Sequence, residues 1–111
     1  MSYDEVQGWL SPDGKMHVCG FCQHDEAAVD ICAAENIPVH VAIRGDLWED
    51  AGWALLERGW LHIGIKGEVY SDDELADIPP TQKQLDTLFD LAQQYADMRE
   101  MVMYYLREQE R

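Results

Sequence analysis

The stretch GWLSPDGKMHV, residues 8–18, predicts a β-hairpin, the first element of a sheet. Trp9 and Leu10 lead into residues 11–14, Ser-Pro-Asp-Gly, in which proline suits the second position of a turn and glycine tolerates positive φ. The chain then returns through residues 16–19. We therefore expect two antiparallel strands joined by a tight turn.

Beyond the hairpin, helical and extended patterns alternate. Helical spacing of apolar residues and good N-cap residues predict helices over residues 25–35 and 46–58. Alternation with a period of two predicts strands over residues 39–43 and 61–65. A short helical turn is expected to open at Ser71 and to end before the two prolines that follow it.

The last third of the chain predicts one long helix. Thr81 and Gln84 form a capping box, and no glycine or proline occurs from Thr81 to the last residue. A helix of about thirty residues would span roughly 45 Å. We therefore predict an α+β fold: a small, mainly antiparallel sheet with two short helices and a long C-terminal helix. Residues 1–111 are expected to form a single domain, with an acidic α+β body (1–78) and the long helix (79–111).

The charge of the chain restricts its partners. Twenty-two acidic residues against eight basic ones leave a net charge of −14. Residues 1–77 carry 16 acidic and 4 basic side chains, whereas residues 78–111 carry 6 and 4. Such a surface repels nucleic acids and anionic membranes and attracts basic proteins. The start, MSYDEVQGWL, lacks the basic and apolar segments of a secretion signal, and the three cysteines are an odd number, so we expect a cytoplasmic protein with reduced thiols.

The segment HVCGFCQH, residues 17–24, raises the question of a metal site. Cys19 and Cys22 have the Cys-x2-Cys spacing of half a zinc site, and His24 is a candidate third ligand. The sequence has no second Cys-x2-Cys and no His-x3-His, which leaves Cys32, His40 and His62 as the remaining candidates elsewhere. Either His17 or Cys32 could be the fourth ligand. In the alternative interpretation Cys32 is a core residue and the segment joins a strand to a helix. No cofactor is predicted apart from this candidate zinc ion.

The second predicted helix has a tryptophan on its acidic side. On a helical wheel Leu47, Trp48 and Leu55 share the apolar side, while Trp53 lies on the opposite side among carboxylates. Tryptophan is enriched in binding hot spots, although cover by the C-terminal helix would account for Trp53 equally well. The residues predicted to bind a partner are Glu49, Asp50, Trp53, Glu57, Asp72, Asp73 and Glu74.

The segment MVMYYL, residues 101–106, is apolar on every side of the predicted C-terminal helix. Earlier in the helix the apolar residues form an ordinary one-sided stripe. A helix that is apolar all round needs contacts on more than one side, and a second chain would supply them. The residues predicted to form a homodimer interface are Met98, Met101, Val102 and Tyr105. The alternative is that the helix bends or ends early and folds back onto the body.

Three segments resemble a group of short proteins of bacteriophages and prophages: residues 8–28 (GWLSPDGKMHVCGFCQHDEAA), 55–65 (LLERGWLHIGI) and 79–89 (PPTQKQLDTLF). The matching positions are Gly8 to Gly14, Cys19, His24, Ala27 or Ala28, and Gly59 to Ile63. Cys22 is not part of the pattern. The resemblance implies a phage accessory protein that acts in a bacterial cytoplasm, and it does not imply an activity.

These observations together predict a non-enzymatic inhibitor. By analogy with small acidic phage proteins, it would bind stoichiometrically to a basic nucleic-acid-binding defence complex, such as a CRISPR effector or a restriction enzyme, by DNA mimicry. The alternatives are a zinc-stabilised, non-catalytic adaptor or dimeric accessory protein, and an enzyme using Cys19 or Cys22. Salt-sensitive affinity would indicate the inhibitor, and bound metal would indicate the zinc-stabilised adaptor. A thiol of low pKa would indicate the enzyme.

Overall fold

The computed structural model describes residues 7–19, 24–40, 46–70 and 78–109. Within these ranges the strands form one antiparallel sheet in the order β2-β1-β3-β4. The strands are β1 (Gly8–Leu10), β2 (Met16–Val18), β3 (Leu61–Ile63) and β4 (Val69–Tyr70). The helices are α1 (His24–Ala34), α2 (Leu47–Glu57), α3 (Gln82–Gln94) and α4 (Ala96–Gln109). The predicted α+β class is confirmed.

The hairpin β1–β2 forms as its sequence predicts. The Gly14 N–H donates to the Ser11 carbonyl over 2.9 Å, and Gly14 has the positive φ of +86° that glycine favours. Helix α3 docks on this turn: the hydroxyls of Thr81 and Thr87 donate to the carbonyls of Pro12 (2.5 Å) and Gly14 (2.6 Å). The hairpin is therefore anchored to the C-terminal part of the chain.

The helices pack in two pairs on opposite faces of the sheet. Directly opposed residues of antiparallel strands point to the same face, so Trp9 shares a face with His17 and His62. This face packs against α1 and α2 through a buried cluster of Trp9, Ala28, Ile31, Cys32, Ala51, Leu55 and Trp60. The other face packs against α3 and α4 through Leu10, Leu61, Ile63, Leu88, Leu91, Ala92, Met98 and Val102. The sheet is the middle layer.

The strand predicted over residues 39–43 does not begin where the sequence placed it. Asn36, just after α1, adopts the left-handed conformation (φ +56°), and the Ile37 N–H donates to the Cys32 carbonyl over 2.9 Å. Val39 and His40, the start of the strand predicted over 39–43, lie in irregular backbone, and residues 41–45 lie outside the described ranges. Val39 is half-buried against the α1–α2 cluster, so packing of an irregular segment accounts for its apolar character.

The C-terminal segment is two helices and not the single long helix that was predicted. Tyr95 adopts an extended conformation (φ −120°, ψ 104°) between α3 and α4, and the two helices pack against each other. The Arg99 guanidinium donates to the Ala92 carbonyl over 3.0 Å, which satisfies one acceptor at the end of α3. Among the described residues, no helix is both long enough and apolar enough to cross a membrane.

The fully buried side chain of Gln84 forms hydrogen bonds to β1, to the segment after α2 and to the N-cap of α3. Its amide group donates to the carbonyls of Gly59 (2.8 Å) and Leu10 (3.3 Å), and its side-chain oxygen accepts from the Thr81 N–H over 2.9 Å. Thr81 in turn accepts from the Gln84 N–H, which completes the predicted capping box. One side chain therefore serves both the start of α3 and the sheet.

We expect Gln84→Ala to lower the free energy of unfolding by about 2 kcal/mol or more, because it removes the partners of buried backbone groups. The matched control is Gln82→Ala in the same turn, where the exposed side chain donates to Asp86 and the expected change is within about 0.5 kcal/mol. Urea unfolding followed by circular dichroism measures both. Equal effects of the two substitutions would contradict the bridging role of Gln84.

Candidate functional site

Helix α2 carries most of the residues predicted to bind a partner. Asp46 is its N-cap, and the carboxylate accepts from the Trp48 N–H over 2.9 Å. Acidic residues in the first turn also suit the positive end of the helix dipole. The opposite side of α2 buries Ala51 and Leu55 against α1 and the sheet, which leaves the acidic side facing outward.

The structure brings three of the predicted partner-binding residues together around a small surface hollow of about 80 Å³. We call it the α2 hollow; its described lining residues are Pro38, His40, Asp50, Trp53, Ala54 and Glu57. Trp53 is half-buried there, beside residues of the α1–α2 connection. The sequence left open whether the C-terminal helix covers Trp53. Helices α3 and α4 pack on the opposite face of the sheet, so the lining comes from the connection instead.

Asp50 has an unusual environment within this hollow. Its Oδ2 atom is buried and accepts no hydrogen bond from the described residues. Burying a carboxylate oxygen without a donor costs free energy, and native proteins seldom leave such an atom unpaired. The α2 hollow therefore holds an acceptor for a donor that the described part of the chain does not supply.

Leu47 and Trp48 differ from the helical-wheel prediction. They were placed on the apolar side of α2, but they are 46% and 48% exposed. The wheel gives the angle of a side chain about the axis and not its position along the axis: the buried contacts are made one and two turns later, by Ala51 and Leu55. Sequence reasoning thus missed Trp48 as an accessible aromatic residue next to Glu49.

Of the remaining members of the predicted binding set, the structure describes Glu49. It is exposed on α2, as is Glu57 at the α2 hollow, and a binding role requires such exposure. Asp72, Asp73 and Glu74 lie outside the described residues.

The zinc prediction falls largely outside the described part of the chain. Cys22 lies outside it, and His24 begins α1 with a side chain that is not described. Burial raises the pKa of the Cys19 thiol, which disfavours the thiolate that binds metals and acts as a nucleophile. Cys32 is buried in the core, where its thiol contacts the Ala51 carbonyl at 3.6 Å and burial likewise raises its pKa. Among described side chains no three potential ligands come together.

The predicted dimer interface is partly wrong. Met98 and Val102 have no exposed area, because α4 folds back beside α3 and directs both side chains into the core of its own chain. Tyr105 is half-buried against the same core, and Met101 remains 40% exposed. The apolar residues that the sequence placed around one helix axis therefore face both the core and the surface. A homodimer stays a prediction.

Burial of Tyr105 has a measurable consequence at alkaline pH. It raises the pKa of the phenol from its ordinary value of 10 to about 12. The folded chain then holds this proton more tightly than the unfolded chain, so the contribution to stability is complete below pH 10 and is lost as the pH rises through 12. We expect the free energy of unfolding to fall more steeply over this range in the parent protein than in Tyr105→Phe. Parallel slopes in urea titrations would contradict the assignment.

Comparisons of the chain with known protein families, curated proteins and solved structures found no match. The resemblance to phage proteins therefore stays a prediction. At the α2 hollow, residues that the sequence predicts to bind a partner lie together in the structure.

Proposed function

We propose that this protein binds a basic nucleic-acid-binding protein stoichiometrically and blocks it, with the α2 hollow and the exposed acids beside it as the contact surface. The partner class is a bacterial defence complex, such as a CRISPR effector or a restriction enzyme. The observation that carries the proposal is the buried carboxylate oxygen of Asp50, unpaired among the described residues and next to Trp53.

Asp50 provides an acceptor that a partner can satisfy. A lysine or arginine side chain that inserts into the α2 hollow and displaces the groups covering Oδ2 would form a charge-assisted hydrogen bond with it, stronger than a bond between neutral groups. It would also remove the cost of leaving that oxygen buried and unpaired. Pairing this oxygen would then add to the free energy of binding, because the unpaired oxygen lowers the stability of the unbound protein.

The aromatic side chain of Trp53, half-buried in the α2 hollow with Asp50, supplies the apolar part of such a contact. Trp48, 48% exposed at the start of the same helix, is a second accessible tryptophan outside the hollow. Tryptophan anchors surrounded by charged residues are typical of binding hot spots. The exposed carboxylates of Glu49 and Glu57 add the charge that steers a basic partner into place.

The net charge of −14 accounts for the class of partner. A basic surface evolved to hold nucleic acid is complementary to such a protein, whereas nucleic acid itself is repelled. Affinity based on these contacts must fall as salt screens them, since the Debye length shortens to about 8 Å at physiological ionic strength.

Nucleic-acid cleavage by purified CRISPR effectors and restriction enzymes, measured against rising concentrations of this protein, tests the proposal. We expect inhibition of a susceptible enzyme to be complete near a one-to-one ratio and to weaken with added salt. Asp50→Asn should weaken inhibition about tenfold. It should not lower the stability of the fold, because a neutral amide costs less to bury than a carboxylate.

The matched control is Asp90→Asn, an equal change of charge on an exposed residue of α3, across the sheet from α2. It should leave inhibition unchanged. Equal weakening by Asp50→Asn and Asp90→Asn would overturn the α2 hollow as the contact. Failure to inhibit or to bind any enzyme of the panel at low salt would overturn the proposed function, and salt-independent inhibition would remove DNA mimicry from it.

A further inference from the structure

A second concave surface lies where β3 and β4 meet. It is an open cleft of about 400 Å³, within the size range of ligand sites. We call it the β3–β4 cleft; its described lining residues are Gln7, His62, Gly64, Ile65, Glu68 and Tyr70. Of these residues the sequence patterns singled out only His62, as one of the remaining candidate metal ligands.

Aromatic rings line up across the sheet toward this cleft. The rings of Trp9 and His62 are stacked, with centroids 4.8 Å apart and planes at 20°. The rings of His62 and Tyr70 follow at 5.2 Å and 38°. Register pairs Trp9 with His62 and His62 with Tyr70, which puts all three side chains on one face. The row runs from Trp9, only 3% exposed, to Tyr70, 48% exposed, so its last ring faces outward.

A carboxylate is held next to the exposed end of this row. Glu68 accepts from the Lys66 N–H over 2.8 Å with one oxygen and from the Tyr70 hydroxyl over 3.0 Å with the other. Each carboxylate oxygen has a further lone pair, so the group can accept additional hydrogen bonds. The two bonds fix the charge beside the ring of Tyr70.

Gly64 permits this arrangement. A Cβ atom at this position would lie 2.9 Å from the Tyr70 ring and 3.1 Å from a carboxylate oxygen of Glu68. A side chain at Gly64 would therefore displace the ring and the carboxylate. The absence of a side chain leaves both groups accessible on the wall of the cleft.

A fixed carboxylate beside an aromatic face is complementary to a planar cation. A guanidinium group stacks on an aromatic ring and, in the same position, donates to a carboxylate; an ammonium group has no such plane. An anionic ligand is disfavoured by Glu68 and by the net charge of −14. The chemistry of the cleft thus selects arginine over lysine.

We propose that the β3–β4 cleft binds an arginine side chain of the basic partner, with the guanidinium stacked on Tyr70 and paired with Glu68. This inference rests on the proposed function and adds a second contact to it. The row of rings lies on the same face of the sheet as α2, and Gly52 of α2 approaches Trp9, the buried end of the row. Helix α2 and the cleft therefore lie on the same side of the sheet.

The test uses two blocked tripeptides, acetyl-Gly-Arg-Gly-amide and acetyl-Gly-Lys-Gly-amide, which each carry one positive charge. Titrations of the full chain are followed through the NMR signals of the His62 and Tyr70 rings. We expect saturable shifts with the arginine peptide and at least about fivefold weaker binding of the lysine peptide. Glu68→Gln and Tyr70→Leu should each weaken binding of the arginine peptide about tenfold.

Two matched controls separate the cleft from the general acidity of the surface. Asp90→Asn removes the same charge as Glu68→Gln, and Tyr104→Leu removes an exposed ring, 57% exposed, from α4. Both should bind the arginine peptide within about twofold of the parent protein. The inference is overturned if Glu68→Gln behaves like Asp90→Asn, if Tyr70→Leu behaves like Tyr104→Leu, or if the peptides bind equally.

The two proposals fail separately. Binding of the arginine peptide that depends on Glu68 and Tyr70, without inhibition of any nuclease, would support the cleft and overturn the proposed function. Inhibition that Asp50→Asn weakens, with no effect of Glu68→Gln or Tyr70→Leu on inhibition or on peptide binding, would support the proposed function and overturn the cleft.

Discussion

We expect Gly8→Ala to lower the free energy of unfolding by at least about 3 kcal/mol. Gly8 lies in β1, between its pairing partners Val18 of β2 and Ile63 of β3. A Cβ atom there would lie 2.0 Å from the carbonyl oxygen of His17, with φ at +154°. The obstructing atom belongs to the backbone, so no rotamer change relieves the clash and the β1–β2 pairing has to open.

Gly52→Ala is the matched control for this prediction. Its Cβ atom would meet the ring of Trp9 at 3.5 Å, an ordinary contact, and Gly52 lies inside α2. Alanine is favoured over glycine within a helix by about 1 kcal/mol, so Gly52→Ala should be neutral or stabilising. Guanidinium unfolding followed by tryptophan fluorescence measures both variants. Similar midpoints would contradict the steric role of Gly8, the first residue of the GWLSPDG segment.

Met98→Ala should lower the free energy of unfolding by about 3 kcal/mol, because a fully buried side chain leaves a cavity when it is truncated. Met101→Ala, three residues later at a position that is 40% exposed, should cost less than about 1 kcal/mol. The contrast tests whether these methionines serve the core of one chain or contact a second chain.

Protein concentration distinguishes the two roles of Met98. Stability gained from a second copy grows with concentration, whereas stability gained within one chain does not. We therefore expect the effect of Met98→Ala to be equal at low and high protein concentration in urea titrations. An effect that grows with concentration would return Met98 to a dimer interface.

Preferences of residues close to each other in the sequence are sufficient to predict several features of the fold. The turn at Pro12 and Gly14, the N-cap at Asp46 and the capping box at Thr81 depend on residues within about four positions of each other. The acidic, tryptophan-bearing side of α2 followed from helical spacing alone. The structure then brought Asp50, Trp53 and Glu57 together around one hollow.

The β3–β4 cleft depended on contacts that local patterns do not contain. Register between β1 and β3, which are distant in the sequence, places Trp9 against His62. No spacing within one segment indicates that stacking. The contact of Glu68 with Tyr70 is local, but it becomes part of a site because the pairing of β3 with β4 places both residues beside His62.

The sequence by itself determined where the hairpin turn, α2 and α3 begin, because capping and turn preferences act between near neighbours. Tertiary structure decided which apolar residues are buried. No glycine or proline in the sequence indicates the helix break at Tyr95. Packing of α4 back onto α3 stabilises the bend and buries Met98. Trp48 stays exposed although the helical wheel groups it with Leu55. Burial depends on what lies opposite a side chain, and only the assembled fold contains that information.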